Sequence, residues 1–194
     1  MSSFLAHAMV GFSLSKQKKQ ATVKEMFFVS LFFVLLAWSP DIDYLINYLR
    51  EESMPIRYTH SIGYISIVSA VAIFFRNILF KKYLYHIPVI LFVFASTSHL
   101  LLDFCVGVHG NPYLYPVSSD VFVAPFGFLP SSGRIDIHNY YFWRNMGIEL
   151  AIFVPIVLVS ISSFRRKLLK HRSLILLVFL VFLAGVTVGI GLER

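Results

Sequence analysis

The sequence predicts an all-α fold, a multi-pass transmembrane bundle of five to six spans. Three observations carry this. Of the 194 residues, 57% are hydrophobic and only 14% are charged, whereas a soluble domain is nearer half apolar and a quarter charged. The mean hydropathy is +0.73. The apolar residues fall into long runs separated by short basic or polar stretches, and the length suits one integral-membrane domain, residues 1–194.

The charge is as informative as the apolarity. The chain carries a net charge of +7, but the basic residues are not spread. Lys16, Lys18, Lys19 and Lys24 fall in one loop, Arg76, Lys81 and Lys82 in a second, and Arg165, Arg166, Lys167, Lys170 and Arg172 in a third. By the positive-inside rule these loops face the cytoplasm. Nearly all the acids fall on the other side, with Glu25 the exception. A basic inner face beside anionic lipid accounts for the high pI, so no nucleic-acid partner is expected. The single cysteine, Cys105, excludes an internal disulfide framework and a Cys-rich zinc module. It reads as a small packing residue.

The spans follow in order. Residues 3–15 are apolar, with no basic start and no clear cleavage site, which argues against a cleaved signal and retains His7. Residues 26–38 end at Trp38 and Pro40. Residues 62–80 carry Arg76 near their inner end, and residues 83–106 carry His99 and Asp103 near their outer end. Residues 148–164 and 173–191 complete the set. Two early runs are only about 13–14 residues long, short of the ~20 that cross hydrocarbon. They read as spans whose outer ends stop at a polar cavity sunk below the surface, where irregular backbone is tolerated. The outer stretch 107–147 is too long for a simple connection. It alternates turn signals such as Gly110-Asn111-Pro112 with aromatic patches, as expected of a cap on the outer leaflet.

His99 and Asp103 stand at i and i+4, on one face of a helix. A carboxylate within a membrane span is costly and marks a functional site by default. Asp41 and Asp43 follow Pro40, and His60-Ser61 opens the next run. His7, His109 and Glu149 also fall in the outer half. Histidine with carboxylate is the ligand chemistry of a divalent metal, zinc above all.

Each residue has a competing reading. His99 and Asp103 could form a buried hydrogen bond tying two helices. Asp41 and Asp43 could start a short helix over 40–49, with Ser39 as its cap. One of the two could touch metal while the other orients a histidine. His60 would ordinarily be interfacial, His7 a packing residue, and Glu149 an acid at a helix start. His109 and His138 read as loop residues, His86 and His171 as solvated or interfacial. It is the convergence of separate segments that favours a metal site. The chain has neither a Gly-x-Ser-x-Gly elbow nor a phosphate-cradling or dinucleotide glycine loop.

His7, Ser39-Pro40-Asp41-Ile42-Asp43, Arg57-Tyr58-Thr59-His60-Ser61, Ser98-His99-Leu100-Leu101-Leu102-Asp103 and Leu114-Tyr115-Pro116-Val117-Ser118 occur in fixed order. This pattern resembles the YdjM-like family of bacterial inner-membrane, metal-dependent hydrolases, some of them regulated by LexA. That family is in turn similar to zinc-dependent phospholipase C and the related single-strand nucleases. The resemblance implies His60, His99, Asp103 and one of Asp41 and Asp43 as ligands of one metal. It places His7 and a shared Asp103 beside a second, and His109 with Glu149 on a third. Asn145 stands where the phospholipase pattern has a histidine four residues before Glu149, so one to three divalent ions are expected.

The expected activity is metal-assisted hydrolysis of a phosphoester in a lipid or lipid-linked substrate, at the outward face of the bacterial cytoplasmic membrane, with Asp41 and Asp43 as the catalytic carboxylates. The alternative is a metal-binding membrane protein without hydrolysis, a transporter or an interaction partner. Transporters also place His and Asp at broken helices, but they need polar groups in the inner halves of the spans, where Arg76 stands nearly alone.

Overall fold

The computed structural model describes residues 4–17, 22–50, 56–108, 110–130 and 137–192. Among these the chain is helical, and five helical segments are long and apolar enough to cross a membrane. A sixth, shorter apolar helix, α1 (Phe4–Ser15), packs beside them.

Helix α2 (Val23–Trp38) begins three residues before the expected run, because Thr22 caps it by accepting a hydrogen bond from the Glu25 amide at 3.1 Å. Pro40 then imposes a break. Ser39–Asp41 form a single 3₁₀ turn, and α3 (Ile42–Arg50) follows. The span therefore runs over Val23–Tyr44, which resolves the apparent shortness of 26–38. Helix α4 (Ile62–Phe74) is capped by Ser61, whose Oγ accepts from the Tyr64 amide at 3.3 Å. It continues as a π-turn over Phe75–Leu79.

The expected span 83–106 is divided. A short α5 (Lys81–Leu84) precedes Pro88, and α6 (Val89–Val106) starts after it. Pro88 has no N–H to continue a helix from upstream, but it suits the start of one. Arg76 closes this corner, donating to the carbonyls of Ile87 at 2.8 Å and Tyr85 at 2.6 Å. The span expected at 148–164 lies instead at α7 (Tyr140–Ser160), because the Asn139 side chain caps it eight residues earlier, at 2.9 Å from the Tyr141 amide. The outer connection is shortened accordingly and ends at 139. Its turn around Tyr115-Pro116, a cis peptide bond, docks on the start of α4, where the Ile62 and Gly63 amides donate to the Tyr113 and Tyr115 carbonyls, each at 2.9 Å. The third basic loop is itself largely helical, α8 (Ser162–Lys170), and α9 (Arg172–Ile190) completes the chain much as expected.

Two apolar clusters stack along the bundle. At the basic end Val29, Phe33, Leu36, Ala72, Phe92 and Ala95 join Leu84 and Ile87. At the other end Ala6, Val106, Leu129, Ile148, Ile152 and Phe153 pack together, with Cys105 against them. Helix α1 lies close on α2, since a Cβ at Gly11 would sit 2.6 Å from the Phe33 carbonyl oxygen. Small residues permit such approach between membrane helices, and here it fixes α1 so that His7, one turn away, reaches the interior.

Candidate metal centre

Five side chains from four segments meet at the end of the bundle remote from the basic loops. They are His7 (α1), Asp41 (the 3₁₀ turn), His60 (before α4), and His99 and Asp103 (α6), all buried. Local structure aims each one. Around the break at Pro40 the backbone carbonyls also accept from side chains. Leu36 O accepts from Ser39 Oγ at 2.8 Å, Ser39 O from Tyr64 Oη at 2.9 Å, and Ala37 O from His99 Nδ1 at 2.8 Å. A carbonyl only accepts, so His99 carries its proton on Nδ1 and presents the Nε2 lone pair to the cluster, the arrangement seen in metal-ligating histidines. Ser61 caps α4 and bonds the Tyr58 carbonyl at 2.6 Å, and the His60 amide bonds the Arg57 carbonyl at 2.9 Å. This tight turn holds His60 in place.

His60 Nε2 lies 3.2 Å from His99 Nε2, 3.5 Å from Asp41 Oδ1 and 3.3 Å from Asp103 Oδ2. His99 Nε2 lies 3.5 Å from Asp41 Oδ1 and 3.7 Å from Asp103 Oδ2. Four donors tetrahedrally arranged at the 2.0–2.2 Å of zinc–nitrogen and zinc–oxygen bonds are separated by about 3.3–3.6 Å. The His60, His99 and Asp103 donors, 3.2–3.7 Å apart, thus suit a divalent ion in both chemistry and spacing, and Asp41 Oδ1 lies 3.5 Å from both imidazole nitrogens. Two groups of donors, His7/Asp41/His99 and His60/His99/Asp103, each lie within 4.8 Å of one another. His7 Nε2 is 3.6 Å from Asp103 Oδ1, and its ring stacks on His99 with centroids 3.8 Å apart.

Electrostatics point the same way. Two carboxylates and an imidazole lone pair around one small space form an electron-rich centre that favours positive charge, part of which Arg57 supplies. Burial disfavours charge on His60, yet the Asp103 and Asp41 carboxylates outweigh it and raise its pKa. Arg57 supplies a fixed positive charge at the edge. Its Nε and Nη2 grip Asp43 at 2.6 and 3.2 Å, and Nη2 also reaches Asp41 Oδ1 at 3.3 Å and His60 Nε2 at 2.7 Å. Burial opposes that charge, but the bonds to Asp43 prevail and raise the Arg57 pKa.

The sequence-expected residues divide accordingly. His7, Asp41, His60, His99 and Asp103 converge. Asp43 is buried but turned to Arg57 and to the far side of His60, 3.6 Å from Nδ1, where the hydrogen bond to that nitrogen comes from Thr59 Oγ1 at 3.1 Å. Glu149 is buried in α7 but belongs to neither converging group. His109 lies outside the described residues, and His138 is exposed. His86 stands apart, 3.5 Å from Glu25.

Sequence reasoning missed Arg57 as a site residue, although its place three residues before His60 in a short turn was the available signal. It also missed Tyr44, whose ring lies beneath the Arg57 guanidinium at 4.6 Å and which bears no pattern that would mark it.

Fold and site together define a polytopic α-helical membrane protein with a buried His/Asp cluster able to hold a metal ion. The sequence model of the YdjM inner membrane protein family matches residues 1–190, and the chain belongs to that family. No curated protein and no solved structure matches it.

Proposed function

We propose that this protein is a membrane-embedded metal-dependent hydrolase that cleaves a phosphoester bond of a lipid or lipid-linked substrate at the outward face of the bacterial cytoplasmic membrane. The observation that carries the reading is the cluster of His60 and His99 with Asp41 and Asp103, in which the two imidazole Nε2 atoms lie 3.2 Å from each other and 3.3–3.7 Å from a carboxylate oxygen of each aspartate, at the end of the bundle remote from the basic loops. These four residues would hold a divalent ion, zinc being the best match for histidine with carboxylate, with His7 beside Asp103 as a further donor. A divalent ion in such a site lowers the pKa of water and polarises a phosphoryl oxygen.

The chain's own groups supply the rest. Asp43 fixes Arg57, and Thr59 Oγ1 bonds His60 Nδ1. Arg57 is 18% exposed at its side chain, and its remaining donors suit an anionic phosphoryl group. Asp41 Oδ2 has no hydrogen-bond partner among the described residues, so it is the oxygen able to orient an attacking water and accept its proton. Beside this end, Leu100, Leu101 and Phe104 of α6 and Tyr113, Leu114 and Phe122 of the cap line an apolar groove of about 290 Å³, suited to an acyl or prenyl chain. The transporter alternative is disfavoured by the packed core toward the basic end, where Phe33, Phe92, Ala72 and Ala95 are buried together.

The test is turnover. Metal-loaded protein in lipid releases phosphate or a phosphorylated headgroup from a panel of phospholipids and polyprenyl phosphates, and Asp41→Asn abolishes the release. A panel that yields no release with metal-loaded protein contradicts the hydrolase reading and leaves the metal-binding one.

A further inference from the structure

At the opposite end of the bundle, α1, α7, α8 and α9 surround a second groove, about 640 Å³, within the range of small-ligand sites. We propose that it binds one anionic phospholipid of the cytoplasmic leaflet, an acyl chain lying in the groove and the phosphate at Arg165. This is independent of the hydrolase reading, since the His/Asp cluster lies at the other end of the helices.

Three observations support this occupant. The walls are apolar in the bilayer's own way, with Leu14, Ile156, Phe179 and Phe182 among them, while the exposed Gln17 and Arg165 mark the rim. On α9 the lining runs from Ile175 to Phe182, about 10 Å along a helix, roughly two-thirds of the ~15 Å hydrocarbon of one leaflet. The rim is also uncompensated in charge. Arg165, Arg166, Lys167, Lys170 and Arg172 form no ion pair with a carboxylate among the described residues. Glu25, the acid assigned to this side, is engaged by His86. Finally, α8 is an amphipathic helix whose buried Leu168 lines the groove while its basic residues stay exposed. This joins the apolar slot and the positive charge into one site. Basic pockets between helices on the cytoplasmic side recognise anionic headgroups. A zwitterionic lipid would instead bring its own cation toward Arg165.

The full-length protein is delipidated in detergent and titrated with dioleoylphosphatidylglycerol or dioleoylphosphatidylcholine, and retained lipid is read by native mass spectrometry. The anionic lipid is retained preferentially, one per chain. Arg165→Gln weakens that retention about fivefold, the share of one basic side chain near a phosphate. Arg166→Gln removes the same charge outside the groove lining and has a clearly smaller effect. Val159→Trp, which fills the groove, lowers retention without altering surface charge. Equal retention of the two lipids overturns the proposal. So does an equal loss in Arg165→Gln and Arg166→Gln, which would indicate diffuse surface charge. Arg165 is exposed, so this pair of variants decides the question even if Val159→Trp fails to fold.

Discussion

Helices α6 and α9 are nearly the same length and are both strongly apolar, yet they occupy opposite roles. Helix α9 is the more apolar of the two and the less buried. Its buried residues are Gly185 and Gly189, where neighbours come close. Helix α6 buries Phe92, Ala95, Ser96, His99, Asp103 and Val106, and its polar residues point inward. In lipid, apolarity does not mark the inside, because the solvent is as apolar as the core. Interiors are marked by small residues that let backbones approach and by polar groups that need partners. Ser69 and Ser96 show this in miniature, bonding across α4 and α6 at 2.7 Å.

The largest effect that follows from this contrast is on α6. His99→Ala or Asp103→Ala reduces bound metal to background by elemental analysis of purified protein. Undiminished metal in both variants would remove the distinction between the two helices.

Next comes the pair of aspartates after Pro40. Asp41 faces the converging donors and Asp43 faces Arg57. Asp41→Asn therefore loses both metal and turnover. Asp43→Asn weakens metal affinity about 10–100-fold, as loss of an orienting partner does, and excess metal restores occupancy. Equal losses by metal titration would erase the division of roles.

Away from the groove lining, the effects on α9 are those of packing. A Cβ at Gly189 would clash with the Phe128 carbonyl oxygen. Gly189→Leu destabilises by about 1–3 kcal/mol, lowering the thermal midpoint while metal content is retained. The smallest change comes from its lipid-facing side, where Leu176 is exposed. Leu176→Ala shifts stability by no more than about 0.5 kcal/mol in the same thermal assay.

The bundle was legible in the sequence because hydropathy runs and basic loops are both strong signals at this scale. Helix boundaries were less so, because they are set by single residues. Thr22 and Asn139 extend α2 and α7 by capping them, and Pro88 divides what reads as one continuous run. Helix α8 was hidden because its charges read as loop, although its apolar face docks between α7 and α9. The cluster was legible where histidine and carboxylate recur at helix ends, in His60, His99, Asp103 and the Asp41/Asp43 pair. Which aspartate faces the centre was not, since that depends on where Arg57 lies, fourteen residues beyond Asp43 and on a different segment. Glu149 carries the same sequence signal as the converging residues but belongs to neither donor group.

The measurement that tests the central claim most directly is a structure of the metal-loaded protein in lipid, with anomalous scattering recorded at the zinc edge. An anomalous peak held by His60, His99, Asp41 and Asp103, with Asp43 still on Arg57, is the result this account predicts. A loaded crystal with no peak there, or with metal bound only at surface histidines such as His138, would contradict it.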